Sequence, residues 1–166
     1  MATVKGISLK GIKKFRGHDG ENYQGNIYMD GKKIGFYSED SWGGPSHVEL
    51  ISREVRDEVI KRAKEYFKEY PDDFGLATDE ELFLDTIMSI SLDEKDYKAA
   101  VKKGYAMTFI ASSKYVSGQP HLVPIQYSIP KHLTTPEELE KLRNELKEKG
   151  FNQFKEYKTL DDFIIN

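Results

Sequence analysis

The sequence predicts an α+β protein with an N-terminal antiparallel β-meander, central helices, and a C-terminal β-hairpin followed by a helix. Three observations predict it. The first fifty residues alternate apolar and polar positions between turn residues, the period of a half-buried strand. Residues 52–103 change to apolar spacings of three and four, the period of a helix. The last third returns to strand patterns and ends in one more helix. Steady β-α-β-α alternation, the mark of a parallel doubly wound sheet, does not occur.

The elements follow in order. Val4 to Phe15 alternates through Ile7, Leu9 and then Ile12. Gln24 to Tyr37 reads as a hairpin, with Ile27 and Met29 on one arm and Ile34 and Phe36 on the other. Between them Asp30-Gly31 tolerates the positive φ angles of a type I′ turn. His47 to Ile51 is a further strand. Ser52 suits an N-cap, and Val55, Val59, Ala63 and Phe67 make one helical stripe that Tyr70-Pro71 ends. Residues 71–77 read as a loop. Thr78 and Glu81 form a capping box for a helix carrying Leu82, Phe83, Ile87, Met88 and Ile90. A separate short helix is expected from Asp93 to Lys103, with Tyr97 and Val101 inward and Gly104 as its stop. Ala106 to Ala111 and His121 to Tyr127 read as paired strands. Pro124 places the second at a sheet edge or a bulge, because it cannot donate to a ladder. Thr135-Pro136-Glu137-Glu138 starts a helix whose inward residues are Leu139, Leu142 and Leu146 and whose stop is Gly150. Residues 151–166 carry no clear period, apart from a final turn near Thr159 to Ile164.

A chain of 166 residues suits a single domain over 1–166, with 69–104 set apart as a candidate small helical lobe. It has no cysteine, which excludes disulfides, thiolate metal sites and a cysteine nucleophile. No segment approaches the roughly 20 apolar residues of a membrane helix. The expected location is the cytoplasm. Net charge is −3, but it is unevenly spread. Lys10, Lys13, Lys14, Arg16, Lys32 and Lys33 cluster early. From Glu69 to Asp85 there are seven acids and no base.

Two polar, glycine-rich segments between strands attract most attention. One is Phe15-Arg16-Gly17-His18-Asp19-Gly20-Glu21, and the other runs from Ser38 to Pro45 through Asp40 and Trp42. In a meander both can lie at one end of the sheet. His18, Asp19, Asp40 and His47 are ligand types for a divalent metal. The glycine N–H groups, with Arg16, suit a phosphate. Trp42 suits stacking on a base or anchoring a partner protein. The same residues also suit tight turns in which glycine supplies positive φ and Asp or Ser caps the backbone. The histidines have no dense ligand spacing, and no nucleotide-binding, nucleophile-elbow or zinc-protease motif is present. Lys10, Lys13, Lys14 and Arg16, interleaved with Ile12, Phe15 and Tyr23, hint at single-stranded nucleic acid, against an acidic pI of about 5.9.

Lys13 to Glu21, Gln24-Gly25-Asn26, Asp30 to Lys33 and Asp40 to Pro45 together resemble the opening of small uncharacterised proteins encoded by bacteriophages and prophages. The resemblance covers residues 10–50. It implies an accessory protein that inhibits a bacterial host or defence factor by direct binding. It carries over no catalytic residue and no cofactor. On this reading the binding residues are Arg16, His18, Asp19, Glu21, Asp40 and Trp42. The acids Asp72, Asp73, Asp79 and Glu80 form a second surface for a basic, nucleic-acid-binding partner. One alternative is a protein that sequesters a small nucleotide in the glycine-rich loops. Another is a small hydrolase using His18 with Asp19 or Glu21.

Overall fold

The computed structural model describes residues 1–18, 20–71, 79–114, 116–118 and 122–166. The strands are β1 (Thr3–Val4), β2 (Ile7–Arg16), β3 (Glu21–Met29), β4 (Lys32–Ser38), β5 (His47–Leu50), β6 (Met107–Ser112), β7 (Ile125–Ile129), β8 (Gln153–Tyr157) and β9 (Ile164–Ile165). The helices are α1 (Arg53–Glu69), α2 (Glu80–Lys102) and α3 (Pro136–Glu148), and short 3-10 turns precede α3 (Lys131–Leu133) and β9 (Leu160–Phe163). This is the α+β class that the sequence predicts. The chain divides into two compact units, Met1–Leu92 with Phe163–Asn166, and Asp93–Asp162. Segment 69–104 contributes to both. Among the described residues no helix is long and apolar enough to cross a membrane.

In the first unit six strands lie in the order β5-β4-β3-β2-β1-β9. β9 runs parallel to β1, and all other pairs are antiparallel. The β3–β4 turn holds Asp30 and Gly31 at φ 49° and 83°, the left-handed pair that a type I′ hairpin requires. One sheet face carries Ile7, Leu9, Ile27 and Tyr37, all of them buried. Helix α1 buries Val59, Ala63 and Tyr66, and α2 buries Phe83, Leu84, Ile87 and Met88. Burying each large apolar side chain contributes roughly 1.5–3 kcal/mol. Ser52 caps α1 by accepting from Val55 N–H at 3.2 Å. Arg62 of α1 ties the helix to the sheet through a two-pronged bond to Asp30, at 2.9 and 2.7 Å, and a third bond to the Lys5 carbonyl.

In the second unit β6 lies between β7 and β8, both antiparallel to it. Met107, Phe109 and Ala111 of β6 share one buried cluster with Ile129, Phe151 and the α3 residues Leu139 and Leu146. Thr135 caps α3 by accepting from Glu138 N–H at 3.3 Å, with Pro136 at the first helical position.

Several elements differ from expectation. The two helices expected around 78–103 are one continuous α2, because nothing between Glu80 and Lys102 breaks a helix. Val101 is exposed, and Ala100 beside it is buried. On α1 it is Tyr66, not Phe67, that is buried. The cap expected at Thr78 lies outside the described residues, and Asp79 Oδ1 accepts from Leu82 N–H at 2.9 Å. β7 begins at Ile125, which leaves Pro124 out of the ladder, and the expected start at His121 lies outside the described residues. Residues 153–157, which lacked a period, form β8.

Thr108 of β6 is completely buried, and its hydroxyl has no hydrogen-bond partner among the described residues. Burying such a group costs free energy, and valine keeps its shape without the hydroxyl. Thr108→Val should therefore raise stability by about 1 kcal/mol in a urea titration. A loss of stability would mean that the hydroxyl is bonded in solution.

Candidate functional site

The two glycine-rich loops meet. The β2–β3 loop closes on itself through Gly17 N–H to Gly20 O at 2.8 Å. The β4–β5 loop is built around the Asp40 carboxylate, whose Oδ2 accepts from Trp42 N–H at 3.3 Å and Gly44 N–H at 2.8 Å. A short acidic side chain that bonds backbone ahead of itself is a common turn device. His18 N–H then donates to Ser41 O at 2.6 Å and joins the loops. Asn22 adds a second link, with its amide oriented by its bonds. Its Nδ2 donates to Asp40 O at 3.2 Å, and its Oδ1 accepts from Gly17 N–H at 3.3 Å. A Cβ on Gly17 would lie 2.0 Å from the Asn22 side-chain amide and 2.8 Å from Ser41 O, so only glycine fits there.

The product of this junction is an aromatic pair. The His18 and Trp42 rings stack at 4.5 Å between centroids, with 19° between planes. Trp42 nevertheless stays 71% exposed. The His18 ring makes no hydrogen bond among the described residues. Arg16, at the end of β2, faces Glu21 in register, and Glu21 pairs with Lys14 at 2.5 Å. Lys14, Phe15, Arg16, Gly20 and Glu21 line a shallow depression of about 420 Å³. Arg16, His18, Glu21, Asp40 and Trp42 thus gather at one end of the sheet. Asp19 lies outside the described residues.

Behind the loops sits a polar cluster that sequence reading missed. Tyr37 Oη donates to Asp85 Oδ1 at 2.6 Å, and Ser46 Oγ donates to the same oxygen at 2.9 Å. Glu81 Oε1 accepts from Ser46 N–H at 2.7 Å. Burial, and then the bond to Asp85, push the Tyr37 hydroxyl well above its ordinary pKa. Glu39 accepts from Tyr23 N–H at 2.8 Å. Burial raises the pKa of Glu39, the Tyr23 bond partly offsets this, and the Asp85 charge adds to the rise. Alternation counted from Ile34 and Phe36 would turn Tyr37 outward, and the extra residue in β4 turns it inward. Asp85 lies 48 residues from Tyr37, and Glu81 lies 35 from Ser46, so neither leaves a local sign.

The acidic stretch is largely committed to the fold. Asp79 caps α2, Glu80 pairs with Arg56, and Glu81 and Asp85 hold the polar cluster. Asp72 and Asp73 lie outside the described residues. His47 contacts Glu49 on its own strand at 2.9 Å. No cluster of three or more His, Asp or Glu side chains among the described residues is placed to hold a metal. In the β4–β5 loop, the N–H groups that would suit a phosphate already meet Asp40. What the junction offers is a fixed aromatic surface, with Arg16 at the same end of the sheet.

Comparison with protein-family models, with curated proteins and with solved structures gives no match.

Glu39 yields a pH prediction. Its raised pKa means that the folded state binds the proton more tightly than the unfolded chain does. That contribution is present below the ordinary glutamate range, near about 4.3, and is lost as pH rises through the raised value. Glu39→Gln should therefore become more stable relative to the parent as pH rises from about 4 to about 7. Urea titrations at the two ends measure this, and a constant difference would contradict it.

Proposed function

We propose that the protein acts without catalysis, by binding a partner protein through the Trp42–His18 platform with Arg16 beside it. The observation that carries this reading is that Trp42 is both exposed and fixed. Its backbone is tied to Asp40, and one face of its ring rests on His18. An anchor already held in place loses little side-chain freedom on binding, which is how a few aromatic residues dominate an interface. The partner that fits the N-terminal resemblance is a bacterial host or defence factor, held in the host cytoplasm. Asp40 and Gly17 are then positioning residues that set the platform.

A nucleotide is the second reading, because the other face of the Trp42 ring is free for a base and Arg16 lies at the same end of the sheet. A hydrolase gains no support from the geometry. The His18 ring stacks on Trp42, and Glu21 is engaged by Lys14.

The test is capture of a partner from bacterial lysates by the full chain, with Trp42→Ala as the comparison. Truncating a dominant anchor costs at least about 2 kcal/mol, so affinity should fall roughly 30-fold with the fold intact. Equal capture by the variant, or no partner from several hosts, would sink the reading. A thermal shift against nucleotides separates the alternative, since a ligand at 100 times its Kd stabilises by about 2.7 kcal/mol.

A further inference from the structure

The six-stranded sheet has a second face, which the strand register defines. Lys10, Asn26 and Phe36 lie side by side on β2, β3 and β4. The row on one side is Ser8, Tyr28 and Lys33, and the row on the other is Lys13, Gln24 and Ser38. These residues alternate with Leu9, Ile27 and Tyr37, which are buried on the opposite face. Lys13 and Lys33 are exposed, and Lys10, Tyr28 and Phe36 are half-buried. The Lys10 ammonium lies 4.3 Å from the centre of the Tyr28 ring, which holds the charge over the sheet. None of the three lysines forms an ion pair among the described residues. The acid on this face is Glu49 at the β5 edge, and it contacts His47.

A half-exposed phenylalanine in a central row is not explained by packing alone. Three lysines free of ion pairs around it, amide side chains between them, and a nearly acid-free face form a recognisable combination. Cations meet phosphates, amides meet base edges, and an aromatic ring meets a base plane. We propose that this face binds single-stranded nucleic acid, with phosphates at Lys10, Lys13 and Lys33 and bases stacked on Phe36 and, further along β2, on Phe15. The binding is largely indifferent to base sequence, because stacking and charge carry it. It is independent of the Trp42 platform.

Fluorescence anisotropy with labelled oligo-dT and oligo-U of about twelve nucleotides tests this, starting near 50 mM salt. The full chain should bind both. The logarithm of affinity should fall with the logarithm of salt at a slope near −2, the value for about three phosphates on a single strand. Phe36→Ala should weaken binding about tenfold. The paired variant Lys13→Gln/Lys33→Gln, at two exposed positions, should weaken it about tenfold or more with an unchanged melting temperature and a shallower salt slope. Trp42→Ala should bind as the parent does, which keeps this result separate from partner capture. Absence of binding at low salt, or full binding by the lysine variant, would overturn the proposal. Displacement by polyglutamate as readily as by unlabelled oligonucleotide would also overturn it and assign the face to an acidic protein.

Discussion

The hydrogen bond from His18 N–H to Ser41 O, 2.6 Å long, holds together two loops that are separated by more than twenty residues. Other features of this end of the sheet depend on that closeness. It requires glycine at position 17, because any Cβ would strike Ser41 O and Asn22. It brings Asn22 within reach of both loops, and it lays the His18 ring against Trp42. Two short polar loops ordinarily move, since neither buries much apolar surface. Here each restrains the other through main-chain bonds, and the Asp40 carboxylate stiffens one of them from within. An exposed tryptophan is held in place by polar contacts where a hydrophobic core would usually be needed.

Much of the fold is legible because its signals are local. Asp30-Gly31 demands a tight hairpin, Ser52 and Thr135 can cap the helices that follow them, and the alternation of Ile27 and Met29 marks one face of β3. The expected alternation of Ile34 with Phe36 fails, because a register shift makes Ile34 an extra residue and puts Phe36 on the face opposite Ile27. The errors fall where a local sign is ambiguous. The separate helix expected to start at Asp93 is one such case. Thr86 and Ser91, however, turn their hydroxyls back to the Leu82 and Ile87 carbonyls at 2.8 and 2.7 Å, and the helix runs on. β8 carries too few apolar residues to announce itself, and it becomes a strand because β6 offers it an edge. β9 is two residues long and exists through its pairing with β1.

The candidate site divides in the same way. Its residue types are visible, since glycine, aspartate, histidine and tryptophan crowd two segments between strands. What brings them together is not visible, because the main joining bond runs between backbone groups that every residue possesses. Ser41 gave no sign for that reason, and Asn22 gave none because its side-chain amide finds partners only once the loops meet. The Tyr37–Asp85–Ser46 cluster was equally hidden. A helix seldom advertises which of its acids will meet a strand, and an acidic run reads as a solvated face until its partners are located.

Those partners bear on how net charge should be used. A pI near 5.9 argues against a nucleic-acid surface only if the charges are evenly mixed. They are not. Glu80, Glu81 and Asp85 are drawn toward Arg56, Ser46 and Tyr37 on the helical side of the sheet. Acids near a helix start also favour its free N–H groups, so α2 has its own reason to collect them. Lys10 and Lys13 of β2 and Lys33 of β4 fall on the other side, placed there by strand alternation and, between Lys10 and Lys13, by the register shift in β2. A global charge of −3 is therefore compatible with a locally basic face, because the start of α2 holds acids on one side of the sheet and the register places Lys10, Lys13 and Lys33 on the other.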